Sequence, residues 1–423
     1  MFRVGDIATL QQLIDAGIAM DITDVFETYA SDTVKGYMEV LPEVVETACK
    51  DGRMYAVPQL TYGYISTPRE LWIRKDWKEA QNIEAPKTYD EFVEILRTFN
   101  KEYGAVLGER SSLSYMKRLA PMWNAYPDNW LRTENGVEFG GIQPEMKDVL
   151  LAFKELYDEG LLYSEFMVSD DSKVIDMCAS GQIGMIQQVS WFNYYFISTL
   201  EINGPESYFE AYEMPTVSGE PFQYVFGLSN EGYTVINSKC KNPEAAIKLI
   251  NYFPKVIFQG DEEPELYAEL NRVNPVIVGP FRVFDPTCDY NQHVDVSAAL
   301  TSGDGSKLVG LGTIQKYENC LKWTENKDTA GLSAYFQVGD PEVSGYAVAK
   351  KVLDEGNYFY DVLWGITPET LMNTGSTLSD LLLQGYTKII VGEEPIEYFD
   401  ELVASWKSAG GEQATKEMNE LYQ

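Results

Sequence analysis

The sequence predicts an α/β protein with more than one domain. Short apolar segments typical of strands alternate with amphipathic helix patterns, which favours largely parallel sheets. The chain has 423 residues, and a single core rarely grows beyond about 250–300 residues. Its hydrophobic fraction of 45% and charged fraction of 23% are those of a globular protein. No apolar run reaches the roughly 18 residues that a transmembrane helix needs.

The beginning of the chain predicts a strand, a turn and a helix. Residues 2–4 form the strand, and Gly5 and Asp6 turn the chain. Apolar residues at helical spacing follow, and Gly17 stands where the helix should end. A strand that begins at residue 2 must find its sheet neighbours elsewhere in the chain.

Helix signals recur further along the chain. Thr88 and Glu91 form a capping box before an apolar stripe, and Pro144 opens a helix that ends at Gly160. Near the C-terminus two helices are separated by the pair of glycines at residues 410–411. Further predicted elements are strands at 54–58, 183–186 and 232–236, a short helix at 172–180 and a helix that begins at 242–244. The segment 258–345 reads as loop-rich.

The charge balance excludes some partners. The formal net charge is −32, from 65 acidic and 33 basic residues. A surface this acidic repels nucleic acid and anionic headgroups, so neither is predicted as a partner. It favours neutral or cationic ligands, although a role in solubility alone is the simpler alternative.

Histidine and cysteine usage excludes other chemistry. The single histidine, His293, is expected in a loop. A His-rich zinc site cannot be built, and a His-based catalytic triad would rest on this one residue. The five cysteines form no CxxC pair and are interpreted as small buried residues, with one disulfide allowed. No metal or cofactor is predicted. Tyrosines outnumber phenylalanines, 28 to 19, which suits a wet recognition surface.

The order of several motifs resembles the extracellular solute-binding proteins of ABC sugar importers, the family that includes maltose-binding protein. The matching segments are FRVGD with GIAMDIT at 2–23, DGRMYAVP at 51–58, LWIRKDW and PKTYDEF at 71–92, GQIGM with SW at 181–191, NPEAA at 242–246 and the tail from 399 to 420. Each motif is weak alone. Their order and spacing over most of the chain make the resemblance fairly specific.

The resemblance implies a two-lobe periplasmic-binding-protein-like fold of type II, with a ligand cleft between hinged lobes. Lobe one would comprise residues 1–63 and about 228–360, and lobe two 66–226 and about 362–423. Hinge crossings are expected near 62–66 and 226–231. The implied protein is a monomeric, non-catalytic receptor that delivers a sugar, expected to be an oligosaccharide, to the transmembrane subunits of an ABC permease.

Two departures from the family pattern matter. Relatives carry a lipoprotein signal, its anchoring cysteine and a first βαβ unit before the first matching segment, so we expect a truncated start and a lipid-anchored, extracellular full-length form. Many relatives also carry an acidic calcium loop after the helix at Thr88. The corresponding residues are 100–104, NKEYG, and no calcium is expected there.

Aromatic and amide side chains are the candidates for the sugar site, because rings stack on C–H faces and planar polar groups bind hydroxyls. Trp191 follows the 183–186 strand and aligns with the family's stacking tryptophan; the alternative is a core residue. Asp6 aligns with a sugar-binding aspartate but could simply cap a helix. Arg3 could bind ligand or pair with Asp6.

The remaining candidates are rings and amides near expected crossings or turns. Each could instead serve packing or lie in a surface loop. They are Tyr62, Tyr64, Trp123, Asn124, Tyr126, Gln188, Asn193 and Trp364.

Two other function classes remain open at this point. One is a glycoside hydrolase, which would need paired carboxylates about 5–5.5 Å or 6.5–9.5 Å apart across an aromatic cleft. The other is a receptor for peptides or polyamines, which would need carboxylates paired with ammonium groups.

Overall fold

A computed structural model describes residues 1–60, 68–192, 197–227, 230–254, 265–266, 268–269, 282–363 and 367–422. The chain forms two compact units: Met1–Thr67 with Gly227–Thr324, and Pro68–Phe226 with Glu325–Gln423. Residues 325–360 therefore lie in the second unit, whereas the sequence analysis placed them in the first lobe. The reason is contact with the second sheet, since the Ala211 N–H donates to the Val343 carbonyl.

The described part of the chain is rich in helices. Their bounds are α1 Ile7–Asp15, α2 Thr23–Tyr29, α3 Asp32–Val40, α4 Pro42–Glu46, α5 Lys75–Ala80, α6 Tyr89–Tyr103, α7 Ser114–Leu119, α8 Met146–Asp158, α9 Asp171–Ala179, α10 Ile197–Asn203, α11 Pro243–Pro254, α12 Cys288–Ser302, α13 Leu311–Asn326, α14 Thr329–Ala334, α15 Gly345–Glu355, α16 Glu369–Ile390, α17 Tyr398–Trp406 and α18 Glu412–Tyr422. Short 3₁₀ segments (Ala120–Trp123, Gly140–Ile142, Phe166–Val168) and π-helical turns (Tyr335–Gly339, Lys407–Gly411) adjoin them.

The strands pair mostly in antiparallel fashion. Their bounds are β1 Phe2–Val4, β2 Cys49–Lys50, β3 Arg53–Met54, β4 Ala56–Leu60, β5 Arg69–Arg74, β6 Trp130–Thr133, β7 Gly136–Phe139, β8 Met185–Val189, β9 Phe209–Tyr212, β10 Tyr224–Phe226, β11 Asn230–Val235 and β12 Tyr358–Tyr360. Among these strands only β10 and β12 pair in parallel. The prediction of largely parallel sheets is therefore wrong for the described residues. In each of the other strand pairs the two strands run in opposite directions.

The first unit contains a three-stranded sheet in the order β1-β11-β4. The β1 strand finds its neighbour more than 200 residues later, with Phe2 opposite Val235. Helix α1 packs Leu10 and Ile14 against this sheet and ends before Gly17, which adopts a φ of 66°. The predicted strand and helix at the beginning of the chain are thus confirmed.

The second unit is built around the sheet β8-β5-β9. Helix α6 begins with the predicted capping box, in which the Thr88 hydroxyl and the Glu91 carboxylate each accept from the other residue's backbone N–H. One face of α6 is buried in the main core of this unit, through Phe92, Val93, Ile95, Leu96 and Phe99. The predicted C-terminal break is also confirmed, because Gly410 has a φ of 125° between α17 and α18.

Some local predictions were wrong. The segment expected to be loop-rich contains α12, α13 and α14 within its described part, and His293 lies on α12 with only 3% of its surface exposed. The strand predicted at 183–186 is β8, which begins at Met185 and ends at Val189. The strand predicted at 54–58 is divided, because Met54 ends β3 and β4 begins at Ala56 and ends at Leu60.

Two further features are the state of the cysteines and the length of the apolar helices. No disulfide joins the five cysteines, all of which are described; Cys178, Cys288 and Cys320 are buried, and Cys49 and Cys240 are half-buried. Among the described residues, no helix is both long and apolar enough to cross a membrane.

The packing of α15 on the end of β8 gives a testable constraint. A Cβ added to Gly345 would lie 2.5 Å from the Cα atom and 2.7 Å from the carbonyl carbon of Ser190. We expect Gly345→Ala to lower the free energy of unfolding by about 1–3 kcal/mol, since overpacking forces backbone shifts. Chemical denaturation followed by circular dichroism measures the change.

Gly375 in the middle of α16 provides the matched control. A Cβ added there meets no atom within 4 Å. Gly375→Ala should therefore stabilise the protein by about 0.5–1 kcal/mol through its helix propensity. Equal effects of the two substitutions would contradict the close approach of α15 to Ser190.

Candidate functional site

Trp191 lies two residues beyond the carboxyl end of β8. Its side chain is 44% exposed, which excludes the alternative of a core tryptophan. Strand β8 pairs antiparallel with β5, so Val189 stands opposite Arg69. Trp191 and the first residue of β5 therefore share one end of the sheet.

The side chain of Gln188 is held by several polar contacts. Its Oε1 accepts from Arg69 Nη1 at 3.3 Å and from the Val189 N–H at 3.1 Å. Its Nε2 donates to the Tyr115 hydroxyl at 3.5 Å, and its carbonyl accepts from the Trp72 indole at 3.2 Å. The predicted amide is therefore directed toward α7 and the start of β5.

Two arginines that the sequence analysis did not single out lie beside Gln188. Arg69 opens β5, and Arg118 comes from α7, where its guanidinium carbon lies 5.2 Å from the centre of the Tyr115 ring. Burial lowers the pKa of Arg69 to about 10, and the charge of Arg118 adds to this decrease. Burial also lowers the pKa of Arg118. We call Arg69, Tyr115, Arg118 and Gln188 the arginine cluster.

Two buried carboxyl groups, those of Glu70 and Glu109, lie on or contact the elements that carry this cluster. Glu70 is fully buried and accepts from the Ser190 hydroxyl at 2.5 Å, and burial raises its pKa well above the usual range. Glu109, also fully buried, accepts from the N–H groups of Arg110 at 2.8 Å, Tyr115 at 3.0 Å and Met116 at 2.5 Å. It thus caps the N-terminal turn of α7 and orients the helix that carries Tyr115.

The predicted aromatic turn at 123–126 serves packing in large part. Trp123 is half-buried, with its ring centre 4.5 Å from that of Tyr89. Tyr126 is only 8% exposed and packs edge-on against Phe359 at 5.0 Å, and burial raises its pKa to about 12. Asn124 is exposed and adopts a left-handed φ of 57°.

Two predicted residues lie in the first unit. Asp6 caps α1, because its carboxylate oxygens accept from the Thr9 N–H at 2.7 Å and the Thr9 hydroxyl at 2.8 Å. Arg3 donates to the Glu231 carbonyl, so the expected pairing with Asp6 is not the contact that it makes. Both side chains are exposed, and their role in ligand binding stays a prediction.

Four further predicted site residues, Tyr62, Tyr64, Asn193 and Trp364, lie outside the described residues. Within the part of the chain that the structure describes, no group of three or more His, Cys, Asp or Glu side chains could hold a metal ion. The segment where relatives carry a calcium loop instead ends α6 at Gly104, which adopts a left-handed φ of 70°.

Comparison with known proteins supplies the family. The family described as bacterial extracellular solute-binding protein matches residues 1–253. Lipoprotein LipO of Bacillus subtilis strain 168 is 24% identical over 379 residues, which cover 83% of this chain and 68% of LipO. Two solved structures are also similar.

The first is alginate-binding protein AlgQ2 in its calcium-free form, with a TM-score of 0.61 and 17% identity, covering 100% of this chain and 86% of that one. The second is an HMO-binding solute-binding protein associated with an ABC transporter, from Bifidobacterium longum infantis, with a TM-score of 0.64 and 16% identity, covering 98% and 85%. These likenesses confirm the predicted α/β, type II periplasmic-binding-protein-like fold.

Burial of Glu109 predicts a pH dependence of stability. Its pKa rises from an ordinary 4.5 to about 7. Because the folded state holds this proton more tightly than the unfolded chain, the stabilisation is complete below pH 4.5 and is lost as the pH rises to about 7. Glu109→Gln should remove a decrease on the order of 3 kcal/mol across this window.

Urea denaturation at several pH values between 4 and 8 measures this difference. Glu145→Gln is the matched control, because it removes one carboxylate from an exposed position. Any hydrogen bond lost in Glu109→Gln shifts the curve without changing its slope. Equal slopes in wild type and Glu109→Gln would refute the assignment.

Proposed function

The chain belongs to the bacterial extracellular solute-binding protein family, and from this premise we propose that it captures an oligosaccharide for an ABC importer. In this proposal it acts as a monomer at the outer surface of the cell, anchored by a lipid in its full-length form. It releases the sugar unchanged to the transmembrane subunits of the permease.

The observation that carries the proposal is the exposed ring of Trp191 beside a set of planar polar groups. An indole face offers an apolar surface to the C–H groups of a pyranose. The Gln188 amide and the Tyr115 hydroxyl can donate to or accept from sugar hydroxyls, and the Arg69 guanidinium can donate to them. Both kinds of surface lie at one end of the β8-β5-β9 sheet.

The relatives support the ligand class and the location. One similar structure is titled an alginate-binding protein and another an HMO-binding protein, so oligosaccharide ligands occur on this fold. The lipoprotein LipO supports attachment at the cell surface.

The carboxyl groups near Trp191 favour binding over hydrolysis. The Glu70 carboxyl group accepts from the Ser190 hydroxyl, and the Glu109 carboxyl group caps α7. Asp171 is paired with Arg110. Each of these three groups is thus held by a hydrogen bond or an ion pair within the protein, which supports binding over hydrolysis. The cationic side chains of the arginine cluster also disfavour polyamines and basic peptides.

We predict that Trp191→Ala weakens oligosaccharide binding by about ten- to hundredfold. Burying an aromatic face contributes on the order of 1.5–3 kcal/mol, and each 1.4 kcal/mol is roughly tenfold in affinity. A thermal-shift panel of oligosaccharides first identifies ligands, because a ligand that binds the folded state raises Tm. Titration calorimetry then compares the variant with wild type.

Tyr29→Ala is the control, since this ring on α2 is also exposed, at 40%. It should leave affinity unchanged. If peptides or polyamines raise Tm and no oligosaccharide does, the proposed ligand class is wrong.

A second prediction concerns catalysis. Prolonged incubation with a bound oligosaccharide should leave it intact, with mass spectrometry as the measurement. Cleavage products that exceed the molar amount of protein would show that the chain is a glycoside hydrolase.

A further inference from the structure

The arginine cluster narrows the ligand class. Resting on the proposed function, we propose that the oligosaccharide is acidic and that Arg69 and Arg118 bind the carboxylate of a uronic acid unit. Gln188 and the Tyr115 hydroxyl then contact hydroxyls of the same or the adjacent sugar.

The first support is that no carboxylate among the described residues contacts either guanidinium group directly. Neither Arg69 nor Arg118 forms an ion pair with any residue that the structure describes. The Arg118 guanidinium donates no hydrogen bond within those residues, and its buried Nη1 has no partner there. By contrast Arg74, which is fully buried on the same strand as Arg69, pairs with Asp76 at 2.6 Å.

The second support is that the neighbouring carboxyl groups are committed elsewhere. Glu70 is adjacent to Arg69, but burial raises its pKa well above the usual range, and its described hydrogen bond is to Ser190. Glu109 accepts three backbone N–H groups. Asp171 pairs with Arg110. None of these three carboxyl groups therefore forms an ion pair with Arg69 or Arg118.

The third support is electrostatic. Burial lowers the pKa of both arginines, and the nearby charge of Arg118 lowers the pKa of Arg69 further. Keeping two guanidinium groups together in this way is unfavourable in the absence of an anion. A carboxylate would relieve the repulsion and occupy the planar donors of each arginine in the geometry that guanidinium prefers.

The location completes the argument. Arg69 stands opposite Val189, and Trp191 follows that residue by two positions. A sugar ring stacked on the indole would thus have the guanidinium donors at the same end of the sheet. The Tyr115 ring lies 5.2 Å from the Arg118 guanidinium carbon, and this cation–π contact helps to hold the Arg118 side chain.

The experiment compares acidic oligosaccharides with their carboxyl-reduced counterparts, which carry CH₂OH in place of the carboxylate. The panel contains oligomers of galacturonate, glucuronate, mannuronate and guluronate, and titration calorimetry of the wild-type protein gives the affinities. At least one acidic oligomer should bind at least tenfold more tightly than its reduced counterpart.

Two substitutions then locate the effect. Arg118→Gln should weaken the acidic ligand at least tenfold and the reduced one less than twofold. Arg118→Lys should give an intermediate loss, because it keeps the charge and loses the planar fork. Arg132→Gln is the control. Arg132 lies on β6, is exposed and donates to the Tyr422 carbonyl, so its replacement should change neither affinity.

The outcomes separate this proposal from the function on which it rests. If reduced oligosaccharides bind as tightly as acidic ones, the carboxylate site is refuted and the oligosaccharide receptor stands. If acidic ligands are preferred but Arg118→Gln binds them like wild type, the assignment to this cluster is wrong. If no oligosaccharide of either kind binds, both proposals fail.

Discussion

The antiparallel pairing of β5 with β8 is the constraint on which the candidate site depends. Its register places Arg69 opposite Val189 and Glu70 opposite Gln188. A slip of one residue would turn each side chain to the other face of the sheet. The Trp72 indole, fully buried and bonded to the Gln188 carbonyl, helps to fix this register. The position of the arginines relative to Trp191 therefore follows from the core of the second unit.

Around this sheet the fold treats buried charge in two different ways. Where charge serves structure it has a polar partner: Arg74 pairs with Asp76, Glu109 accepts three backbone N–H groups, and Glu70 accepts from the Ser190 hydroxyl. This is the usual solution, since an uncompensated buried charge costs several kcal/mol. At Arg118 the compensation is absent within the described residues. This unmet donor, together with the missing ion pairs of Arg69 and Arg118 within the described residues, is what supports an external partner.

Short sequence patterns correctly predicted the parts of the fold that depend on residues close together in the chain. The capping box at Thr88 and the break at Gly410 depend on neighbouring residues, and the sequence shows them directly. Helix α12 could not be recognised, because its buried face includes the polar residues Asp289, Gln292 and His293 and so lacks an apolar stripe. The arginine cluster was missed for a different reason. Arg69 and Arg118 are far apart in sequence, and only the tertiary fold shows that neither forms an ion pair within the described residues.

The net charge of the chain and the charge of its proposed ligand have the same sign, and screening explains how the two are compatible. A total of −32 suggests neutral or cationic partners, yet exposed charges are screened within about 8–10 Å at moderate ionic strength. Partly buried groups are screened much less, so two partly desolvated guanidinium groups act strongly at short range. The acidic surface governs solubility and long-range approach. In the proposed site the groups within contact distance of the ligand include both guanidinium groups, and their charge is the basis for proposing an acidic ligand.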